Sequence, residues 1–196
     1  MEDEQHDENT FEKKELYEAI KRLKKKGKKC YQFITKAGTG LIEAVFQFFL
    51  RIWKEEWAPS DWECTTLIQI FKGKGLPEKL ENNRFIHTKV WMPKLFESIV
   101  VARMKPKVNI NMSKYQIGGS EGHRPQEHIF VIKSVISLFS LLGIDLIATL
   151  IDISKFFDKE NLRDGMDAVY RSNITDKIYR LWFLMNKKTR LRVKTG

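Results

Sequence analysis

The sequence predicts an α+β fold, and three observations carry that expectation. Apolar residues recur three and four apart along several stretches, the spacing of one helix face. Two short runs, Thr65–Phe71 and Asp145–Ile153, have the apolar, β-branched character of strands. The 196 residues are 42% apolar and 12% aromatic, enough to bury a sizeable core and too many for a disordered chain.

In chain order, residues 1–9 hold five acids and no Lys or Arg, so an acidic, disordered tail is expected over 1–11. A basic helical extension is expected over 12–36. Within it Leu16, Ala19, Ile20 and Leu23 share one face, the remainder is basic, and Gly27 stands where a helix would stop. The Phe- and Leu-rich stretch from Thr39 to Trp57 predicts a core helix. Its other face is Glu43, Gln47, Arg51 and Lys54, and Pro59 and Asp61 end it. Thr65–Phe71 predicts a strand running into the glycine-rich Lys72-Gly-Lys-Gly75; residues 76–84 read as loop and Phe85–His87 as a short strand. Pro93 fits near the start of a helix reaching Arg103 or Lys105. Residues 114–126 predict a loop, and Glu127–Leu142 a mostly buried helix. Asp145–Ile153 is the clearest strand, a nearly continuous apolar run of the kind covered on both faces. Leu162, Met166, Val169 and Tyr170 mark one further helix, and Ile178, Leu181, Trp182 and Met185 another. Arg190–Lys194 alternates like a strand, and the five tryptophans are expected in the core.

Lys plus Arg is 35 and Asp plus Glu is 25, a net charge of +10; without the acidic tail the body carries +15 (35 minus 20). So basic a body favours a polyanionic partner, nucleic acid or an acidic membrane surface. Cys30 and Cys64 form no zinc pattern and no disulfide framework, which points to a reducing compartment. The N-terminus lacks the features of a secretory signal. The longest apolar stretch, Val135–Ile151, is broken by Gly143 and Asp145 and reads as two buried elements rather than a membrane span. The expectation is an intracellular protein of nucleus or cytoplasm, not secreted, with no stable membrane association and no obligate protein partner.

The most informative stretch is Ile151-Asp-Ile-Ser-Lys-Phe-Phe-Asp158. A carboxylate at the end of a buried strand is costly unless it is hydrogen-bonded or binds a metal. Asp152 therefore reads either as a helix cap or as a metal ligand. The lysine-rich run of Lys21, Arg22, Lys24, Lys25, Lys26, Lys28 and Lys29 reads as a phosphate-tracking surface, a solvated helix face or a nuclear-import signal.

The Asp152 stretch resembles motif A of reverse transcriptases, an Asp followed by four residues and an aromatic. Other elements resemble the same family in the same order. Trp62–Gly75 is similar to its strand ending in Lys and Gly, and Asn83-Arg-Phe-Ile86 to its Asn-x-Arg-x-Ile element. Gln116-Ile-Gly-Gly119 with Gly122 is similar to its Gln-x-Gly-x-x-x-Gly loop, and Asn161–Gly196 to the approach to motif B. The best match is the non-LTR, LINE-like branch of retroelement polymerases, over about residues 15–196.

The resemblance implies a right-hand polymerase fragment: fingers over 37–142 and a partial palm over 143–196, behind the basic N-terminal helix. It implies RNA-templated extension of a DNA primer from dNTPs by two-ion nucleotidyl transfer with Mg²⁺ or Mn²⁺. Asp152 would be the first metal carboxylate and the carbonyl of Ile153 a second ligand. Phe157 would lie beneath the nucleotide sugar and exclude a 2′-hydroxyl. Lys72, with Lys74 as its alternative, and Arg84 would hold the triphosphate. Gln116 would contact the nucleotide, and Gly118, Arg124 and the lysine-rich helix the nucleic acid. The family's motif C, two adjacent Asp residues after motif B, would lie beyond Gly196, so this chain alone is expected to be inactive. The family pattern is also broken at Gly27–Tyr31 and at Gly119-Ser-Glu121. Two rival expectations are a non-catalytic nucleic-acid-binding remnant of such an enzyme and a basic membrane- or partner-binding protein.

Overall fold

The computed structural model describes residues 10–25, 34, 36–118, 122–153, 161–187 and 190–193. Helix α1 (Lys13–Lys25) buries Leu16, Ala19, Ile20 and Leu23, the four residues whose spacing predicts it. Helix α2 (Thr39–Glu55) buries Ile42, Val45, Phe49, Ile52 and Trp53 and turns its polar face outward; it ends where Glu56 takes up a left-handed conformation. Helix α3 (Trp91–Asn111) contributes Leu95, Phe96, Ile99, Val100 and Met104 to the same core. It runs past the expected end at Arg103–Lys105, straight through Pro106. Proline removes one backbone hydrogen bond there, but Met104 and Val108 pack on the core either side of it and hold the helix together. Helices α5 (Leu162–Arg171) and α6 (Asp176–Asn186) follow as expected, with Ile174, Ile178, Leu181 and Met185 buried.

Aromatic rings fill the centre. Phe49, Trp53, Trp62 and Phe96 meet mostly edge to face, with Phe49 and Phe96 centroids 5.1 Å apart. Each such burial contributes about 1.5–3 kcal/mol from removing apolar surface from water. Phe11, assigned from sequence to the acidic tail, is only 5% exposed and stacks on Trp53 at 5.7 Å. An aromatic side chain with a core face in reach gains more by packing than by solvation, so the tail cannot extend to residue 11.

Beneath the rings lies a buried ion pair. Arg103 Nε and Nη2 donate to the two carboxylate oxygens of Glu15, each at 2.7 Å, and Nη2 also donates to the Thr10 carbonyl at 2.5 Å. The guanidinium lies over the Trp53 ring, 4.5 Å from its centroid. Glu15 accepts in addition from the Glu12 backbone N–H at 3.0 Å, closing the first turn of α1.

The sheet has three strands in the order β2-β1-β3. β1 (Cys64–Phe71) pairs antiparallel with β2 (Asn83–Thr88), Phe71 opposite Asn83, and parallel with β3 (Arg190–Val193), Cys64 opposite Arg190. All three are strands that the sequence anticipates, and the fold is mixed α+β with a small sheet. The expected segment boundaries at 11/12, 36/37 and 142/143 do not divide the packing. The core draws on α1, α2, α3 and α6, and β3, from the last segment, lies beside β1 from the third.

Two expectations fail in the stretch 125–153. Helix α4 (Pro125–Leu142) forms, but none of its side chains is buried. Asp145–Ile153, expected to be the central strand, belongs to no sheet; Ile147 and Leu150 are 92% and 93% exposed. The physical reason is shared. A doubly covered strand needs hydrogen-bonding neighbours on its edges and a layer on each face, and the described residues supply neither to this segment. The turn between the two elements is as read from the sequence. Gly143 ends α4 at φ 65°, and the N–H groups of Gly143 and Ile144 return to the Ser140 and Phe139 carbonyls. Among the described residues, no helix is long and apolar enough to cross a membrane.

Removing one member of the buried pair leaves the other charged and dry, which costs about 3–5 kcal/mol. Arg103→Met should therefore lower Tm by about 10 °C or more, and adding Glu15→Leu should recover part of that loss; differential scanning calorimetry measures both. A second ion pair gives a pH dependence. The Arg180 guanidinium donates to Glu56 at 2.6 and 2.9 Å and holds that carboxyl below its ordinary range. A depressed folded value stabilises above the unfolded value of about 4.3 and is lost as the pH falls below it. Tm followed from pH 7 down to about pH 3 should fall less steeply in Glu56→Gln than in the parent chain.

Candidate functional site

Lys72 and Arg84 are brought together by the β1–β2 hairpin. Arg84 lies opposite Ile70 in the ladder, and the Lys72 N–H continues it by donating to the Asn82 carbonyl at 2.8 Å. Because side chains alternate along a strand, Ile70, Lys72 and Arg84 share one face of the sheet. Both cations are exposed. The Lys72 ammonium donates to the Glu81 carbonyl at 2.7 Å, which steers the side chain across the hairpin neck and leaves further N–H donors for a ligand.

The loop behind these cations is pinned by two asparagines whose role was not read from the sequence. Buried Asn83 donates through Nδ2 to the Pro77 and Lys79 carbonyls, both at 2.7 Å, and Asn82 donates to the Leu76 carbonyl at 2.9 Å. Gly75, at φ 77°, lies so close to Asn82 that a Cβ would sit 2.4 Å from its Nδ2. The sequence signal was the Asn-Asn pair ahead of a strand, since Asn side chains readily satisfy turn carbonyls.

Asp152 and Ile153 stand in the exposed 144–153 stretch. The carboxylate is open to water rather than set at the end of a buried strand, so the desolvation argument for a metal does not apply to it. Asp152 offers one carboxylate and Ile153 one carbonyl, and among the described residues no three His, Cys, Asp or Glu side chains converge. Mg²⁺ accepts such a partial set only when substrate phosphates and water complete its shell. Phe157 lies outside the described residues.

The remaining candidates have local roles. Gln116 follows a turn in which its N–H returns to the Ser113 carbonyl at 2.9 Å, and its Nε2 donates to the Gly118 carbonyl at 3.3 Å. Gly118 is exposed and has no positive φ, so nothing local demands a glycine. Arg124 caps α4: its N–H donates to the Glu127 carboxylate at 3.1 Å. That carboxyl is held below its ordinary range first by His123, whose Nδ1 lies 2.8 Å away, and then by this backbone donor. On α1, Lys21 is exposed and exposed Arg22 donates to the Ser98 carbonyl at 3.3 Å, which ties it to α3. Lys24 and Lys25 extend the same helix, whereas Lys26, Lys28 and Lys29 lie outside the described residues.

Comparisons with family models, with curated proteins and with solved structures find no significant match. Asn83→Ala should cost about 1–3 kcal/mol, because two loop carbonyls each lose a side-chain donor in a partly buried setting; chemical denaturation with an unchanged m-value tests this.

Proposed function

We propose that this chain is the template- and nucleotide-binding portion of a retroelement reverse transcriptase of the non-LTR type. In this reading it forms the fingers and the first part of the palm of a right-hand polymerase. The ordered motifs of the sequence are its basis. The observation in the fold that supports it best is the shared, solvent-open face of Lys72 and Arg84 on a pinned hairpin neck. A triphosphate is held by several charge-assisted hydrogen bonds at once, and two cations on one rigid element meet that need with little ordering cost.

On this reading the partners are an RNA template and a DNA primer, the substrates are dNTPs, and Mg²⁺ or Mn²⁺ binds at Asp152 and Ile153 in the intact parent. The open apolar surface of α4 and 144–153 accords with a palm whose covering strands come from elsewhere. With one motif carboxylate and no Asp pair, the chain alone does not polymerise. The non-catalytic remnant is the second reading, favoured by the lack of a convergent acidic cluster among the described residues.

Both readings place a polyanion on a basic body, so binding of a labelled RNA–DNA hybrid should weaken linearly in log–log terms with rising salt. Fluorescence anisotropy measures this. Primer extension assayed with Mg²⁺ should give no product, and Lys72→Ala with Arg84→Ala should weaken dNTP binding about tenfold. Salt-independent hybrid binding, or product formation by this chain, would overturn the proposal. An intact parent that still extends primers as Asp152→Asn would remove that residue from the chemistry.

A further inference from the structure

A continuous piece of chain, α4 and the Asp145–Ile153 stretch after it, carries fifteen large apolar side chains that are each at least 38% exposed. Together they present on the order of 1,000 Å² of apolar surface. That exceeds the roughly 300–600 Å² a monomer ordinarily leaves open and is close to the about 800 Å² each partner buries in a stable complex.

Charge decides what kind of surface covers it. Residues 125–153 hold one Lys, Lys133, and no Arg, against Glu127, Asp145 and Asp152. On a chain of net charge +10 this piece leans acidic, so a nucleic-acid backbone or an anionic lipid surface gains nothing there. A second copy of the chain brings the same sparsely charged patch, and two such patches meet with little repulsion.

Two patterns fit a like partner. On α4, Val131, Val135, Leu138 and Leu142 recur four, three and four apart, the interval at which like helices interlock, and Lys133 lies off that seam. After the Gly143 turn, Leu146–Ile151 runs six residues with no charge, no Pro and no Gly, the composition of segments that pair with their own copies. This run belongs to no sheet among the described residues, so its backbone N–H and C=O groups are open to a neighbouring strand. Asp145 and Asp152 bracket it, and an open-ended stack would align like charges at both ends of every added copy. A closed pair avoids that accumulation.

We propose that this piece is a self-association surface through which two copies of the chain form a two-fold dimer. The inference concerns the chain by itself and does not depend on the polymerase reading. Sedimentation equilibrium of the full chain at about 10 μM should give a mass about twice 23.1 kDa. Ile147→Lys combined with Leu150→Lys changes two nearly bare side chains, leaving the monomer core untouched while obliging a dimer to bury two ammonium groups per copy. The dimer should dissociate at least about tenfold more readily in this double variant and in Leu138→Lys on the α4 seam. Ile110→Lys, at a residue 83% exposed on α3, should leave it unchanged. Raising NaCl to about 0.5 M should preserve the dimer, since apolar burial is not screened whereas bridging by a polyanion is. A parent chain monomeric up to about 100 μM, or assemblies that grow without limit, overturns the proposal. So does a dimer kept by both patch variants, or one lost at high salt or on nuclease treatment. A monomer that floats with phosphatidylcholine vesicles also overturns it, and makes lipid the occupant.

Discussion

The bidentate pair between Glu15 and Arg103 is the constraint on which the packed half of this molecule depends. It is almost fully removed from water, so both charges must be satisfied within the protein. The geometry does this completely enough to fix three elements at once. Glu15 closes the first turn of α1, Arg103 projects from the middle of α3, and the guanidinium lies over the Trp53 ring of α2. Phe11 also stacks on that indole. A lysine in place of Arg103 could offer neither the planar fork nor the stacking face.

Around this point the chain divides into regions of unequal burial. The aromatic cluster of α2 and α3, clamped by α1 and α6, is close-packed and buries its largest rings. The β1–β2 hairpin extends from it with its distal half exposed, held by asparagine side chains rather than by apolar contact. The stretch from α4 to residue 153 is apolar yet open. Soluble proteins rarely leave apolar surface of that extent uncovered, and it is the region most prone to associate with another surface. The packed region accounts for stability, the hairpin displays exposed cations, and the open stretch leaves Asp152 exposed to water.

This division separates two kinds of charge. Arg103 is structural because water is excluded around it. Lys72, Arg84 and Lys21 are exposed, so their interactions with protein are weak and their donors remain accessible to a polyanion. A net positive charge therefore does not by itself mark a binding surface; position on the fold decides which cations can serve one.

What the sequence determined was local and periodic. Leu16, Ala19, Ile20 and Leu23 foretold α1, Ile178, Leu181 and Met185 foretold α6, and alternation foretold β1, β2 and β3, because helix faces and pleats repeat over a few residues. The glycine at 143 was legible for the same reason. Other features required the tertiary structure, because they join residues far apart in the chain. The parallel partnership of β1 with β3 spans more than a hundred residues, as does no periodic signal. The role of Arg103 needed Glu15 and Trp53 to be brought beside it, and the sharing of a face by Lys72 and Arg84 needed the hairpin register. The stretch Asp145–Ile153 shows the limit from the other side. Its apolar run states a demand for burial, but a strand is made by its neighbours, and no sequence window contains them.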